Sequence, residues 1–456
     1  MHHLIHRRNF LRNSSLAGLG LAVAAATRGA EPATPPAVAP AARTGIGPNG
    51  TLRVAVIGTN GRGQAHIECL TRIPGTEVVV ICDVDDRAVA SGLKSVNRRQ
   101  KTPARGMKDF RKVLEDAAVD AVTIATPDHW HAPMAILALK AGKHVYVEKP
   151  CSHNPREGEL LEQAVAASGR VLQMGNQRRS FPRLQHAIAR IHEGVIGRPY
   201  FARAWYNNGR GSIGHGTPTT PPAWLDYDLW QGPAPRRPFR SNLIHYNWHW
   251  FWHYGTGEAL NNGTHEVDVC RWALGVDWPS RVVSHGGRYQ FDDDWETPDT
   301  QVIGWDYAGG KSISWEGRSC NSFPTEKLDR GVMIHGTAGS ALLDGNNYTF
   351  YDSKGKPMET AHEESAADPT NTISASGIGL DQLHFADFVA AIRTGKLNNS
   401  PIAEGHKSVA MLHLGNIAWR VGRELHCDPA NGRVQDDPGA MKLWGRDYEP
   451  GWEPKV

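Results

Sequence analysis

The chain has 456 residues, with 50 Lys or Arg against 47 Asp or Glu and a formal net charge of +3. That length exceeds one ordinary core and predicts about two to three domains. The near-balanced charge, with no basic stripe, excludes nucleic acid as an expected partner.

At the N-terminus, His6-Arg7-Arg8-Asn9-Phe10-Leu11-Arg12 precedes the apolar run Leu16–Ala26, which holds small residues suited to cleavage. The run is shorter than the ~20 apolar residues that span a bilayer, so no stable membrane anchor is expected. Residues 1–30 resemble a twin-arginine signal peptide, which implies the twin-arginine export machinery as a partner and a periplasmic or otherwise exported protein. Residues 31–50, rich in Pro, Ala and Gly, read as a linker. The cysteines (Cys69, Cys82, Cys151, Cys270, Cys320 and Cys427) form no C-x-x-C pair. Substrates of that route cross the membrane folded, so mostly free, buried thiols are expected.

Leu52–Ile57 is a β-rich apolar run that breaks into Gly58-Thr59-Asn60-Gly61-Arg62-Gly63 and continues as a predicted helix over Gln64–Arg72. Glu77–Cys82 is the next strand, and Asp83 follows at once, 20 residues after Gly63. A helix start offers unpaired N–H groups to a diphosphate, and glycines let it approach. An acid at the next strand's tip can accept hydrogen bonds from a ribose. Asn60 replaces the middle glycine of G-x-G-x-x-G, a residue that tolerates left-handed backbone. Asp83 predicts NAD, because its charge repels the extra phosphate of NADP; Arg87 keeps NADP as the second choice.

Strand–helix units continue: the strand Val119–Ala125 running into Thr126–His131, a helix over Ala132–Ala141, the strand His144–Val147 ending in Glu148-Lys149-Pro150, a helix over Pro155–Ser168 and the strand Val171–Gly175. This alternation predicts an α/β fold with a doubly wound parallel Rossmann sheet over residues 51–178. Gly58–Gly63, Asp83, Thr126, Pro127, His131, Glu148, Lys149 and Gln177 fall at strand carboxyl ends, where such sheets bind ligands. After residue 180 come a helix (Pro182–Glu193), the strand Arg198–Tyr206 and a Pro/Gly/Trp-rich stretch. A helix over Asn261–Leu274 follows, then six short strands between Arg281 and Tyr351. They predict a second, α+β domain over residues 179–425 with an open, largely antiparallel sheet. Helices over Asp381–Arg393 and Ser408–Arg423 and a surface-packed tail, residues 426–456, complete the chain.

Thr126-Pro127 with His131, then Glu148-Lys149-Pro150 after a Rossmann strand, is similar to the Gfo/Idh/MocA oxidoreductases over roughly residues 51–425. The resemblance implies an NAD(P)-binding domain and an open-sheet domain that carries a sugar or polyol and mediates assembly, here a homodimer or homotetramer. Lys149 can orient a substrate hydroxyl and, with a depressed pKa, move its proton as hydride leaves. Glu148 can hold ribose or nicotinamide. Within Gly255–His265, His265 matches the family histidine that acts as general acid or base. The family's aspartate is Asn261 here, which orients a hydroxyl but takes no proton. Asp268, one turn later, is a further substrate-contact candidate.

Asn247-Trp248-His249-Trp250-Phe251-Trp252-His253-Tyr254 suits the C–H faces of sugars, with alternate rings in the core and Trp248, His249 and Trp250 as substrate candidates. His249 and His253 have metal-ligand spacing, but no carboxylate pattern accompanies them, so no metal is expected. Arg178, Arg179 and His215 are loop candidates for the same pocket. Export favours a tightly bound NAD that is reduced and reoxidised in each turnover. Two cycles satisfy this: sugar–sugar oxidoreduction, and redox-neutral glycoside cleavage by oxidation, elimination, hydration and reduction. Family members that cleave glycosides commonly lack Glu-Lys-Pro, so oxidoreduction ranks first, and Asn261 keeps cleavage open. A non-catalytic carbohydrate-binding protein on the same fold is the third reading.

Overall fold

The computed structural model describes residues 50–362 and 378–456. The signal-like segment and all but the end of the linker lie outside them. The first sheet is built in chain order from β1 (Leu52–Ile57), α1 (Arg62–Thr71), β2 (Thr76–Cys82), α2 (Asp86–Asn97), β3 (Arg105–Met107), α3 (Phe110–Glu115), β4 (Ala121–Ile124), α4 (Asp128–Lys140), β5 (His144–Val147), α5 (Pro155–Ser168) and β6 (Leu172–Met174). Its strands lie in the order β3-β2-β1-β4-β5-β6 and pair in parallel throughout. Helices cover both faces of such a sheet, which is why β1, β4 and β5 read as near-continuous apolar runs. Strand order reverses between β1 and β4, so a crevice opens beyond their carboxyl ends.

The rest comprises α6 (Pro182–His192), β7 (Pro199–Asn207), α7 (Tyr227–Gln231), α8 (Gly257–Asn261), α9 (Gly263–Leu274), β8 (Arg281–Gly287), β9 (Thr300–Tyr307), β10 (Lys311–Arg318), β11 (Arg330–Gly336), β12 (Gly339–Asp344), β13 (Asn347–Asp352), β14 (Pro357–Ala361), α10 (Ile378–Thr394), α11 (Ile402–Val421), β15 (Leu425–His426) and α12 (Pro438–Met441). The second sheet runs β14-β13-β12-β11-β7-β10-β9-β8-β15 and is mixed, with β7–β10 its parallel pair among the described residues. Period-two alternation sends Ile303, Trp305, Ile313 and Trp315 into the core. That face packs against α9 and α11.

Four findings depart from the sequence-based expectations. α4 begins at Asp128, one turn early, because Pro127 enters it with extended backbone and Pro133 removes only a single ladder bond. The expected helix over Asn261–Leu274 is two helices: the backbone resets at Asn262, and Gly263 packs on the Trp315 ring, where a Cβ would lie 2.8 Å from it. α10 returns to the first sheet. Its Phe385 stacks on Tyr146 with ring centres 4.3 Å apart, and Phe388 and Ile392 share a core with Val54, Val56 and Val78.

The tail is also more deeply involved than a surface covering. Trp444 is buried, Trp452 packs edge-on to Trp130, and Arg446 pairs with fully buried Glu157 at 2.8 Å while donating to the His129 carbonyl. Breaking a buried pair strands its partner, so Arg446→Ala is expected to cost about 3 kcal/mol in urea unfolding. An unchanged unfolding midpoint would contradict this role.

Candidate active site

A crevice of about 620 Å³ runs along the carboxyl ends of the first sheet. At one end lies the glycine turn between β1 and α1. Gly58 has φ +84°, and a Cβ there would sit 2.6 Å from the Ala125 carbonyl oxygen. Gly58, Asn60, Gly61 and Arg62 line the crevice, as does Asp83. Thr59 and Gly63, also expected to touch the cofactor, are absent from the crevice wall and pack within the turn. The Thr59 hydroxyl donates to the Ala88 carbonyl and its N–H to Asp83 at 2.6 Å, while Gly63 packs on the Gly58 carbonyl. Asp83 also accepts from the Asp85 N–H, and burial raises its carboxyl pKa. Arg87, the group that left room for NADP, is bound to Asp85 and stacked on Trp224.

The turn fits a dinucleotide. No side chain caps the start of α1. An Nη of Arg62 and the Thr126 hydroxyl are buried without a partner among the described residues. A diphosphate at a helix start needs such uncommitted donors.

Midway along the crevice, Glu148 is a buried junction. It accepts from Arg62 Nε at 2.8 Å, His66 Nε2 at 3.0 Å and Gln177 Nε2 at 3.1 Å. Burial would raise its carboxyl pKa, but Arg62 and His66 outweigh that and hold it well below the usual value. Arg62 also binds Asp381 of α10 at 2.6 Å. Glu148 thus has three protein partners, and it also lines the crevice where the ribose or nicotinamide contact was expected. His131, at the crevice wall, has its ring nitrogens against the carbonyls of Pro150 and Thr126 and so braces both loops. Pro127 lines the same wall.

Lys149 reaches from the first domain to the second. Its amine donates to the Asn261 carbonyl at 2.6 Å and lies 3.3 Å from the Asn261 side-chain oxygen. Burial lowers its pKa, against the opposing charges of Glu148 and Asp128. The Asn261 amide nitrogen lies 3.3 Å from Glu258. Arg210 and hydrogen bonds hold the Glu258 carboxyl below its usual pKa despite burial. A carboxylate at position 261 would face that of Glu258, whereas a carboxamide joins Glu258 to Lys149. His265, in the first turn of α9, lines the same end of the crevice.

The 247–254 run is a short 3-10 helix over Asn247–Trp250 followed by turns, so neither strand alternation nor the helical His249/His253 spacing applies. Trp248 and His249 line the crevice, stacked with ring centres 3.6 Å apart. Trp250 does not line it; its ring is buried on Trp295. Arg178 and Asp268 are likewise absent from the crevice wall. Arg178 pairs with Glu266 at 3.2 Å, and Asp268 holds Arg179 at 2.8 Å and the Ser408 hydroxyl. These pairs lock α9 to the connection after β6. His215 is exposed beside Asp294. Among the described residues, no group of three or more His, Cys, Asp or Glu is set to hold a metal.

Asp128 is a crevice residue that the sequence reading passed over. It is buried at the start of α4 and accepts the Thr256 hydroxyl at 2.6 Å; burial raises its pKa against the charges of His131 and Lys149. Its signal was its position inside Thr126–His131, already singled out for other residues.

Two outcomes follow. Gly63→Ala would drive a methyl into the Gly58 carbonyl, so NADH affinity in a fluorescence titration is expected to fall by about tenfold or more. Glu148→Gln removes the buried charge that Arg62 and His66 face, leaving Arg62 only Asp381, and is expected to cost about 3 kcal/mol at neutral pH in urea unfolding. Since the Glu148 pKa is depressed, its stabilisation is full above the usual carboxylate range and fades as pH falls below it. The variant's penalty should shrink in acid; a pH-independent penalty would contradict the charge role.

Residues 52–176 match the oxidoreductase family model of the NAD-binding Rossmann fold, and residues 200–329 match the same family's C-terminal alpha/beta domain. A glycosyl hydrolase family 109 protein of Saccharopolyspora erythraea is 32% identical over 209 residues, 44% of this chain and 45% of the relative. A protein of the same description from Shewanella sp. (strain W3-18-1) is 34% identical over 217 residues, 45% of this chain and 46% of the relative. The matches thus span just under half the length of these relatives. An oxidoreductase domain protein from Kribbella flavida superposes with a TM-score of 0.65 at 21% identity, over 83% of this chain and 99% of that one. Levoglucosan dehydrogenase, in complex with NADH and levoglucosan, gives 0.65 at 20% identity, over 82% and 99%. At these identities the likeness is one of fold. The two family models together take in more than half of the sequence, and the chain belongs to the Gfo/Idh/MocA oxidoreductase family, with an NAD-binding Rossmann domain.

Proposed function

We propose that this protein is an NAD-dependent oxidoreductase acting on a hydroxyl of a sugar or polyol. One observation carries the reading: a single crevice joins the glycine turn and Asp83 to Lys149, Asn261 and His265. Bound NAD supplies a hydride acceptor at its nicotinamide ring. Neutral Lys149, favoured by burial, takes the proton of the substrate hydroxyl as hydrogen leaves the same carbon as hydride. Asn261 aims the Lys149 amine, and Asp128 tunes it through charge. The Trp248–His249 stack offers an aromatic surface to a sugar's C–H face. The carbohydrate class is supported by the glycosyl hydrolase relatives and the levoglucosan dehydrogenase likeness. The twin-arginine-like N-terminus supports an exported enzyme that keeps NAD bound and returns the hydride within each cycle.

The relatives' description favours a second reading, redox-neutral glycoside cleavage. Oxidation of a ring hydroxyl acidifies the adjacent C–H. His265 takes that proton, the aglycone leaves by elimination, water adds to the alkene, and hydride returns to the carbonyl. Incubating the NAD-loaded protein with sugars and with aryl glycosides separates the readings. Keto-sugar plus polyol supports transfer, free aglycone without net redox supports cleavage, and no product from either series overturns both.

Lys149→Met is expected to lower kcat by about 10²- to 10⁴-fold while NADH still binds. In the wild type, the rate should rise with pH as Lys149 loses its proton, with a midpoint below the ordinary lysine value. Asp128 raises the Lys149 pKa, so Asp128→Asn should move that midpoint to lower pH. A midpoint unmoved by Asp128→Asn would separate Asp128 from the proton path.

A further inference from the structure

A second cavity, of about 520 Å³, lies between the start of α5, one side of α11 and the C-terminal segment after α12. It is distinct from the crevice, although Thr256 belongs to its wall while bonding Asp128 in the crevice. The charges around it are unevenly satisfied. Arg446 is neutralised by Glu157. Arg420 lies over the Trp252 ring, 5.0 Å from its centre, and among the described residues its guanidinium has no hydrogen-bond or ion-pair partner within reach. Its nearest electrostatic counter-charge, Glu296, is turned to the Trp252 N–H. Lys442, also in the wall, has no partner for its amine among the described residues, and Asp447 is the one carboxylate there. On the α5 side, Asn154 is 3% exposed, and both ring nitrogens of His153 are buried without a partner among the described residues.

An arginine seated over an aromatic ring without a carboxylate partner has N–H groups to offer an oxyanion, and a nearby unpaired ammonium strengthens that preference. A lone carboxylate beside an unpartnered imidazole suits hydroxyls. We propose that this cavity is a second ligand site for a small hydroxylated anion. Arg420 and Lys442 bind its carboxylate or phosphoryl group, and Asp447 with the His153 ring binds its hydroxyls. The site is independent of the hydride chemistry in the crevice.

Calorimetric titration of the full chain, with NAD saturating so that the diphosphate turn is filled, tests this. The probes are glucuronate, glucose 6-phosphate and, as a neutral control, glucose. At least one anion is expected to bind, with affinity falling about tenfold or more in Arg420→Gln/Lys442→Gln and as salt rises, while the response to glucose stays unchanged. Preference for glucuronate assigns a carboxylate ligand, and preference for glucose 6-phosphate a phosphorylated one. Both substitutions are at the rim, and Lys442→Gln alone, expected to weaken binding by a smaller factor, guards against misfolding of the double variant. Failure of both anions to bind, or equal binding by the variants, would overturn the proposal.

Discussion

The Glu148 carboxylate, buried among Arg62, His66 and Gln177, is the contact on which the geometry of the crevice depends. A charge taken out of water is tolerated only when its partners are close and numerous. Here the partners come from the first residue of α1, from within α1 and from the loop after β6, while Arg62 reaches on to Asp381 of α10. One carboxylate thereby fixes the glycine turn, the end of β5 and a helix that arrives more than 300 residues after the turn. Lys149 follows directly in sequence, so its amine inherits a fixed origin.

From that origin the contacts continue into the second domain. Lys149 meets Asn261, Asn261 meets Glu258, and Glu258 is held by Arg210 and the Ser319 hydroxyl. Asn261, read from the sequence as a loss of the family's aspartate, has a physical reason within this network. Its amide nitrogen faces the Glu258 carboxylate and its oxygen the Lys149 amine, and an aspartate there would set a second carboxylate against Glu258. The departure therefore does not argue for a crevice emptied of chemistry. Asp128, at the start of α4, provides a carboxylate whose charge acts on Lys149 from another direction.

Much of this was legible in the residues. Periodicity and glycine placement gave β1, α1, β2 and Asp83, and α5 begins and ends at Pro155 and Ser168, the bounds expected for it. What stayed hidden was set by tertiary contact. Arg178, Arg179 and Asp268 looked functional because charges near a crevice usually are, yet their partners, from Glu266 to Ser408, lie far along the chain. The aromatic run hid its outcome because one tryptophan found Trp295 while its neighbours faced the crevice. The return of α10 to the first sheet left no local signal, since an amphipathic helix does not name the surface it covers.

Tryptophan lines the crevice at positions 130, 230 and 248, within range to excite a reduced nicotinamide bound there. Exciting tryptophan while single carbohydrates are mixed with NAD-loaded protein tests most directly whether nicotinamide and sugar meet beside Lys149. The expected result is nicotinamide emission that appears within one turnover for at least one sugar, polyol or glycoside and is absent in Lys149→Met. Darkness across the whole panel, in a protein that does light up when NADH itself is added, would contradict it.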